Sequence, residues 1–280
     1  MTEERFFHFH IAHHKTTLWI IAILITISSA VYQRLTGPTY PVRGKVQINN
    51  SEISFKLLRS ETTDRDALIR IEVPDTLIHG YVKYKRYNSN DPWSELPLKR
   101  DGDFLTQQLP RQPAAGKLIY QVYLQTDSQT ISITKDEPVI IRFKGHVPEI
   151  VLIPHILLMF LAMLFSNRTA LEALDPEGNA KRYMYWTIGL FLVGGFILGP
   201  LVQKYAFGEL WTGIPFGYDL TDNKTLIAML GWLWAWLKNS RGQKSRGWIF
   251  FAAFLMLAVY LIPHSVFGSE LDYTQGAPAK

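Results

Sequence analysis

Four apolar runs limit what this chain can fold into. They lie at about 17–33, 150–166, 184–202 and 248–263, each close to the ~20 residues a helix needs to cross ~30 Å of hydrocarbon. A fifth run, 226–237, holds 12 residues and would rise only ~18 Å. A helix starting at Leu220 makes up most of the shortfall. Five membrane-crossing helices follow, the first an uncleaved anchor, since no small-residue cleavage site comes cleanly before Tyr32, Gln33 and Arg34.

Charge then orients the chain. With five crossings and the amino terminus inside, the short inner segments 1–15, 167–182 and 238–246 carry nine Lys and Arg residues, whereas the outer segments 203–225 and 265–280 carry three. That bias fits the positive-inside rule, with the carboxyl terminus outside. The same rule accounts for the net charge of +5 without invoking nucleic acid. The chain has no cysteine, which excludes disulfides, thiolate metal ligands and thiol catalysis within it.

Residues 39–147 follow a different pattern. "GKVQIN", "EISFKLL", "ALIRIEV", "GYVKYKRY", "DFLTQQL", "KLIYQVYLQ", "QTISIT" and "PVIIRFKG" alternate with period two and are separated by turn-forming residues. Eight short strands predict an all-β sandwich outside the membrane. The stretch from Tyr81 to Leu124, with Leu109-Pro110 ahead of Tyr120, resembles a fibronectin type III or related immunoglobulin-like domain. That resemblance implies a corner in which the Tyr120 hydroxyl caps an upstream backbone group, on a fold that binds or spaces rather than catalyses. The whole chain is also similar to uncharacterised bacterial polytopic inner-membrane proteins, which implies an inner-membrane location with 39–147 in the periplasm.

The expected fold class is therefore an α-helical membrane protein of five transmembrane helices, amino terminus in and carboxyl terminus out, with an inserted extracytoplasmic β-sandwich. Its parts are a cytoplasmic tail (1–16), the first helix (17–36), the sandwich (39–147), a four-helix membrane domain (149–268) and a free tail (269–280).

The densest polar feature between apolar runs is "GYDLTDNKT" at 217–225. In one reading Asp219 or Thr221 caps the helix that follows, with Asp222 in its first turn. In the other, Asp219, Asp222 and Asn223 share a helical face at i, i+3 and i+4 near the membrane boundary, with Lys224 on the next face and Trp211 at the interface. "LIPH" occurs twice, ending in His155 and His264, and five crossings put both at outer helix ends. His155, His264, Asp219 and Asp222 could then hold a divalent metal, or relay ions or protons. Haem suits the set less well, because histidines at the edge of a span leave little helix to enclose a porphyrin.

Other features read as structure. His8, His10, His13 and His14 form a juxtamembrane polar segment. Gly195 and Gly199 form a close-packing step, Trp232, Trp234 and Trp236 an aromatic belt, and "SNRTALEALDP" continues the second span as a short amphipathic stretch along the cytoplasmic face. No phosphate-binding loop, nucleophile elbow or HExxH occurs. The sequence thus favours a non-enzymatic binding, assembly or accessory subunit that meets the lipid bilayer and a protein partner through its outer domain and helical bundle. The alternative is a membrane-embedded metal or ion-relay site.

Overall fold

The computed structural model describes residues 15–49, 51–175, 178–240, 245–263 and 270–274. Two compact units emerge. The helical unit draws on 1–37, 147–205 and 209–268, and the β unit on 38–146, 206–208 and 269–280.

The helical unit contains α1 (Lys15–Thr36), α2 (Glu149–Glu172), α3 (Ala180–Phe207), α4 (Leu220–Ser240) and α5 (Arg246–Leu261). Only α1, α2 and α3 among the described residues are long and apolar enough to cross a membrane. This corrects the expected five-helix membrane domain. The 16 residues of α5 rise ~24 Å, short of the hydrocarbon thickness. The 21 residues of α4 are long enough, but Asp222, Lys224, Lys238 and three Trp dilute their apolar character. With three such helices rather than five, the alternation that put the carboxyl terminus outside loses its last two crossings.

The helices hide their polar groups from the apolar exterior. In α1, Thr26 Oγ1 donates to Ala22 O at 2.8 Å and Ser29 Oγ to Ile25 O at 2.6 Å, so both hydroxyls are satisfied one turn back and face inward. Ile20, Leu24, Ile27 and Leu35 are each more than half exposed on the same helix. In α3 the segment Leu192–Leu198 is π-helical. A Cβ on Gly194 would come within 3.1 Å of Leu158 Cβ, and one on Gly195 within 3.1 Å of Thr225 Cγ2, so these two glycines let α3 approach α2 and α4.

The β unit departs from a two-sheet sandwich. Among the described residues eleven strands form three hydrogen-bonded sheets around one core. β1 (Val42–Ile48) pairs with β2 (Ser51–Leu57). β4 (Ala67–Glu72), β8 (Phe104–Leu109) and β7 (Lys99–Asp101) make a second sheet. The largest runs β3 (Ser60–Thr62), β11 (Val139–Lys144), β9 (Lys117–Gln125), β5 (His79–Arg86), β6 (Ser94–Pro97), with β10 (Thr130–Ser132) also on β9. All pairings are antiparallel except β3 with β11.

Alternation explains the register. β4 buries Ala67, Ile69 and Ile71 and exposes Leu68, Arg70 and Glu72, and a one-residue slip would reverse every side chain. Tyr81 and Tyr123 are direct cross-strand partners with rings stacked 5.0 Å apart. The Arg100 guanidinium ties down the turn after β4 by donating to the carbonyls of Val73, Asp75 and Ile78. Tyr120 is buried and donates to Leu58 O at 2.7 Å. Its acceptor follows β2, far from the Leu109-Pro110 step. Residues 270–274, expected as part of a free tail, pack on the β unit: Glu270 accepts from Lys117 Nζ at 2.5 Å and Asn88 Nδ2 at 2.6 Å, and Tyr273 Oη donates to Gln112 Oε1 at 3.0 Å.

Candidate functional site

The polar segment before α4 is a clasp. Asp219 precedes the helix and its Oδ1 accepts from Thr221 N at 2.8 Å, which is N-capping geometry. Asp222 is buried, and its Oδ2 accepts from Thr212 N at 2.6 Å, Gly213 N at 3.1 Å and Thr212 Oγ1 at 3.3 Å. Asn223 Oδ1 takes Ile214 N at 2.7 Å. Two adjacent side chains of the first turn therefore hold three consecutive amides of the preceding loop. Gly213 permits this approach, because a Cβ there would lie 2.6 Å from Asp222 Cβ and 2.8 Å from Asn223 Oδ1.

Loop and helices lock together on both sides of the clasp. Trp211 Nε1 donates to Ile214 O at 3.1 Å, and its ring stacks on Phe196 at 5.8 Å. Gln203 Nε2 donates to Thr212 Oγ1 at 2.6 Å. Beyond the clasp the loop presents Ile214, Phe216 and Tyr218, all more than half exposed, an amphipathic rim of the kind found at a membrane surface. Lys224 is buried and donates to Ile262 O at 2.5 Å, tying the start of α4 to the end of α5.

His155 lies apart from these acids. Its Nδ1 is 2.9 Å from Gly194 O, and since a carbonyl only accepts, Nδ1 carries the proton. The same carbonyl accepts the Gly199 N–H in the π-helical pattern, so His155 braces the irregular turn of α3. His264 lies outside the described residues, as do His8, His10, His13 and His14. Among the described residues no three His, Asp or Glu side chains group as metal ligands. Asp222, buried, already accepts from the loop it secures.

Two clusters were not anticipated. "SNRTALE" does not lie along a surface: α2 continues through it, and Ser166, Asn167, Arg168, Thr169 and Glu172 are all buried. Arg168 Nη2 sits 2.6 Å from Glu172 Oε2, an ion pair at an angle poor for a hydrogen bond. Its guanidinium carbon lies 4.6 Å from the Tyr183 ring centroid and 5.5 Å from that of Trp19. Glu172 Oε1 accepts from Asn179 N at 3.1 Å, Asn167 Nδ2 donates to Thr26 Oγ1 at 3.0 Å, and the Thr169 and Thr187 hydroxyls lie 3.2 Å apart. These contacts join α1, α2 and α3. The signal in the sequence was the i, i+4 spacing of Arg168 and Glu172. The three Trp of α4 also divide: Trp232 is buried with Nε1 3.1 Å from Met256 Sδ, while Trp234 faces out beneath Lys238.

The second cluster is a shallow groove of about 580 Å³ on the β unit, lined by Arg43, Ser54, Phe55, Lys56, Arg70, Glu72 and Phe104. Its sides are built by outward-facing residues of β1, β2, β4 and β8, and its floor by Phe55, which belongs to the buried core. Phe55 lies across Gly44, where a Cβ would sit 2.6 Å from its Cζ, and Arg70 covers the Phe104 ring at 3.7 Å. Neither cluster contains a nucleophile paired with a base. No protein-family model, curated protein or solved structure matches this chain.

Proposed function

We propose that this chain is a non-enzymatic integral membrane protein of the bacterial inner membrane, a binding or assembly subunit that presents its β unit to a protein partner in the periplasm. The observation that carries this reading is the exterior of α1 and α2. Ile20, Leu24, Ile27, Ile150 and Leu157 are each more than half exposed on these helices, an apolar surface that water disfavours and lipid does not. The β unit offers the opposite exterior, charged and polar between buried strand positions. Lys15 at the start of α1, and Lys181 and Arg182 at the start of α3, favour the cytoplasm for those ends. The β unit, between α1 and α2 in sequence, then faces out.

Carbonate washing of membranes followed by native mass spectrometry from a mild detergent tests the proposal. The chain is expected to stay with the lipid pellet and to leave the detergent micelle in a stoichiometric complex with a second protein. Release by carbonate would contradict the membrane assignment, and a bare monomer under every mild condition would contradict the subunit assignment.

A further inference from the structure

The groove on the β unit carries an arrangement that costs the free protein stability. Arg43 and Lys56 are direct cross-strand partners on β1 and β2, both exposed and both on the outer face. Like charges directly opposite each other repel. Arg70 adds a third cation from β4, and Glu72 is the one acid in the lining. Among the described residues none of the three cations makes an ion pair with an acid. β2 and β4 run close together without a ladder between them, so the groove lies over a seam between two sheets, floored by Phe55 and flanked by Phe104.

We propose that this groove binds an extended acidic peptide segment of the partner protein, an inference that rests on the subunit reading above and specifies where the partner docks. Arg43 and Lys56 sit on paired strands ~4.8 Å apart, and Arg70 lies beyond them across the seam between β2 and β4, which no ladder joins. That spread is too wide for one carboxylate or phosphate to reach them all. An extended peptide crossing the strands places alternate side chains ~7 Å apart on one side, which matches acidic residues at i and i+2. Charge-assisted contacts from Arg43, Lys56 and Arg70 would hold those carboxylates. The edge of Phe104 offers apolar contact to the residues between, and Glu72 disfavours an unbroken run of negative charge.

The test uses the full chain in detergent and a fluorescein-labelled peptide of about ten residues alternating Glu and Thr, read by anisotropy. Saturable binding is expected, weakened about tenfold in Arg43→Ser/Lys56→Ser and weakened strongly as salt rises from about 50 mM to about 500 mM. Glu72→Gln is expected to tighten it severalfold. Because Arg43→Ser/Lys56→Ser relieves a repulsion, its melting temperature without peptide should equal or exceed the parent's, which separates lost binding from lost folding. Unchanged affinity in that variant overturns the proposal. So does equal affinity for a peptide with the same Glu gathered in one block, or displacement at equal charge by polygalacturonate or inorganic phosphate. If the chain forms a partner complex that survives Arg43→Ser/Lys56→Ser, the subunit reading stands and the groove assignment fails. If peptide binds but the chain leaves every mild detergent as a bare monomer, the groove assignment stands and the subunit reading fails.

Discussion

At the scale of single residues, Asp222 shows how a charged group between apolar segments can be structural. Its carboxylate accepts two backbone amides and a hydroxyl from residues 212 and 213, and hydrogen bonds to a charged acceptor contribute ~1.5–3 kcal/mol each. Asp222→Ala leaves those donors unsatisfied and should lower the detergent melting temperature while opening the 208–219 loop to protease. Asp222→Asn keeps one acceptor and should fall between Ala and parent. Equal protease resistance in all three would show that the clasp holds nothing. On the β unit, hydrogen bonds from Arg86 at 2.6 and 2.8 Å hold the Asp91 carboxyl at about 2, below its ordinary 3.8. A depressed carboxylate stabilises the fold fully above its unfolded value and loses that contribution as pH falls through its folded one. Asp91→Asn should therefore be less stable than the parent above about pH 4, and the difference should vanish between about 4 and about 2. The pair is exposed, so the difference is small and screened by salt. Amide hydrogen exchange of β5 across that range reads it directly.

At the scale of elements, the buried Arg168–Glu172 pair joins three helices. Breaking one side of such a pair leaves an uncompensated buried charge and costs ~3–5 kcal/mol. Arg168→Met and Glu172→Leu should each destabilise the helical unit strongly, and the double variant should cost less than the sum of the two, as a double-mutant thermal-unfolding cycle in detergent would show. Additive losses would mean that the two side chains act independently. The strands of this chain were legible because period-two alternation writes burial into sequence: all eight alternating runs are strands. The three missed, β3, β6 and β7, have only three or four residues each, too few for a period to register. The start of α4 at Leu220 was legible from the length its apolar run lacked. The continuation of α2 past Ser166 to Glu172 was legible too, but the burial of its polar residues was not, because falling hydropathy reads as a surface unless the neighbouring helices that cover it are known. The clasp was half legible: the spacing of Asp219 and Asp222 forecast a cap, but not that Asp222 would reach back to Thr212 and Gly213. The groove depends on which strands lie beside one another, and no local pattern encodes that.

At the scale of the whole molecule, the chain joins two units of opposite exterior. The helical unit turns apolar side chains outward and gathers its polar ones at Arg168 and Asp222. The β unit buries its apolar side chains and displays charge, most densely around Arg43, Lys56 and Arg70. Such a division suits a chain that lives in lipid and works in water.

The absence of cysteine makes the most direct test straightforward. Ser128→Cys in the exposed turn between β9 and β10, and Lys181→Cys in the first turn of α3, each introduce one thiol at an exposed position. Labelling with a maleimide that cannot cross the inner membrane should modify Ser128→Cys in intact cells, and Lys181→Cys only after permeabilisation. Labelling of both in intact cells, or of neither, would put Ser128 and Lys181 on one side of the membrane and contradict the proposal.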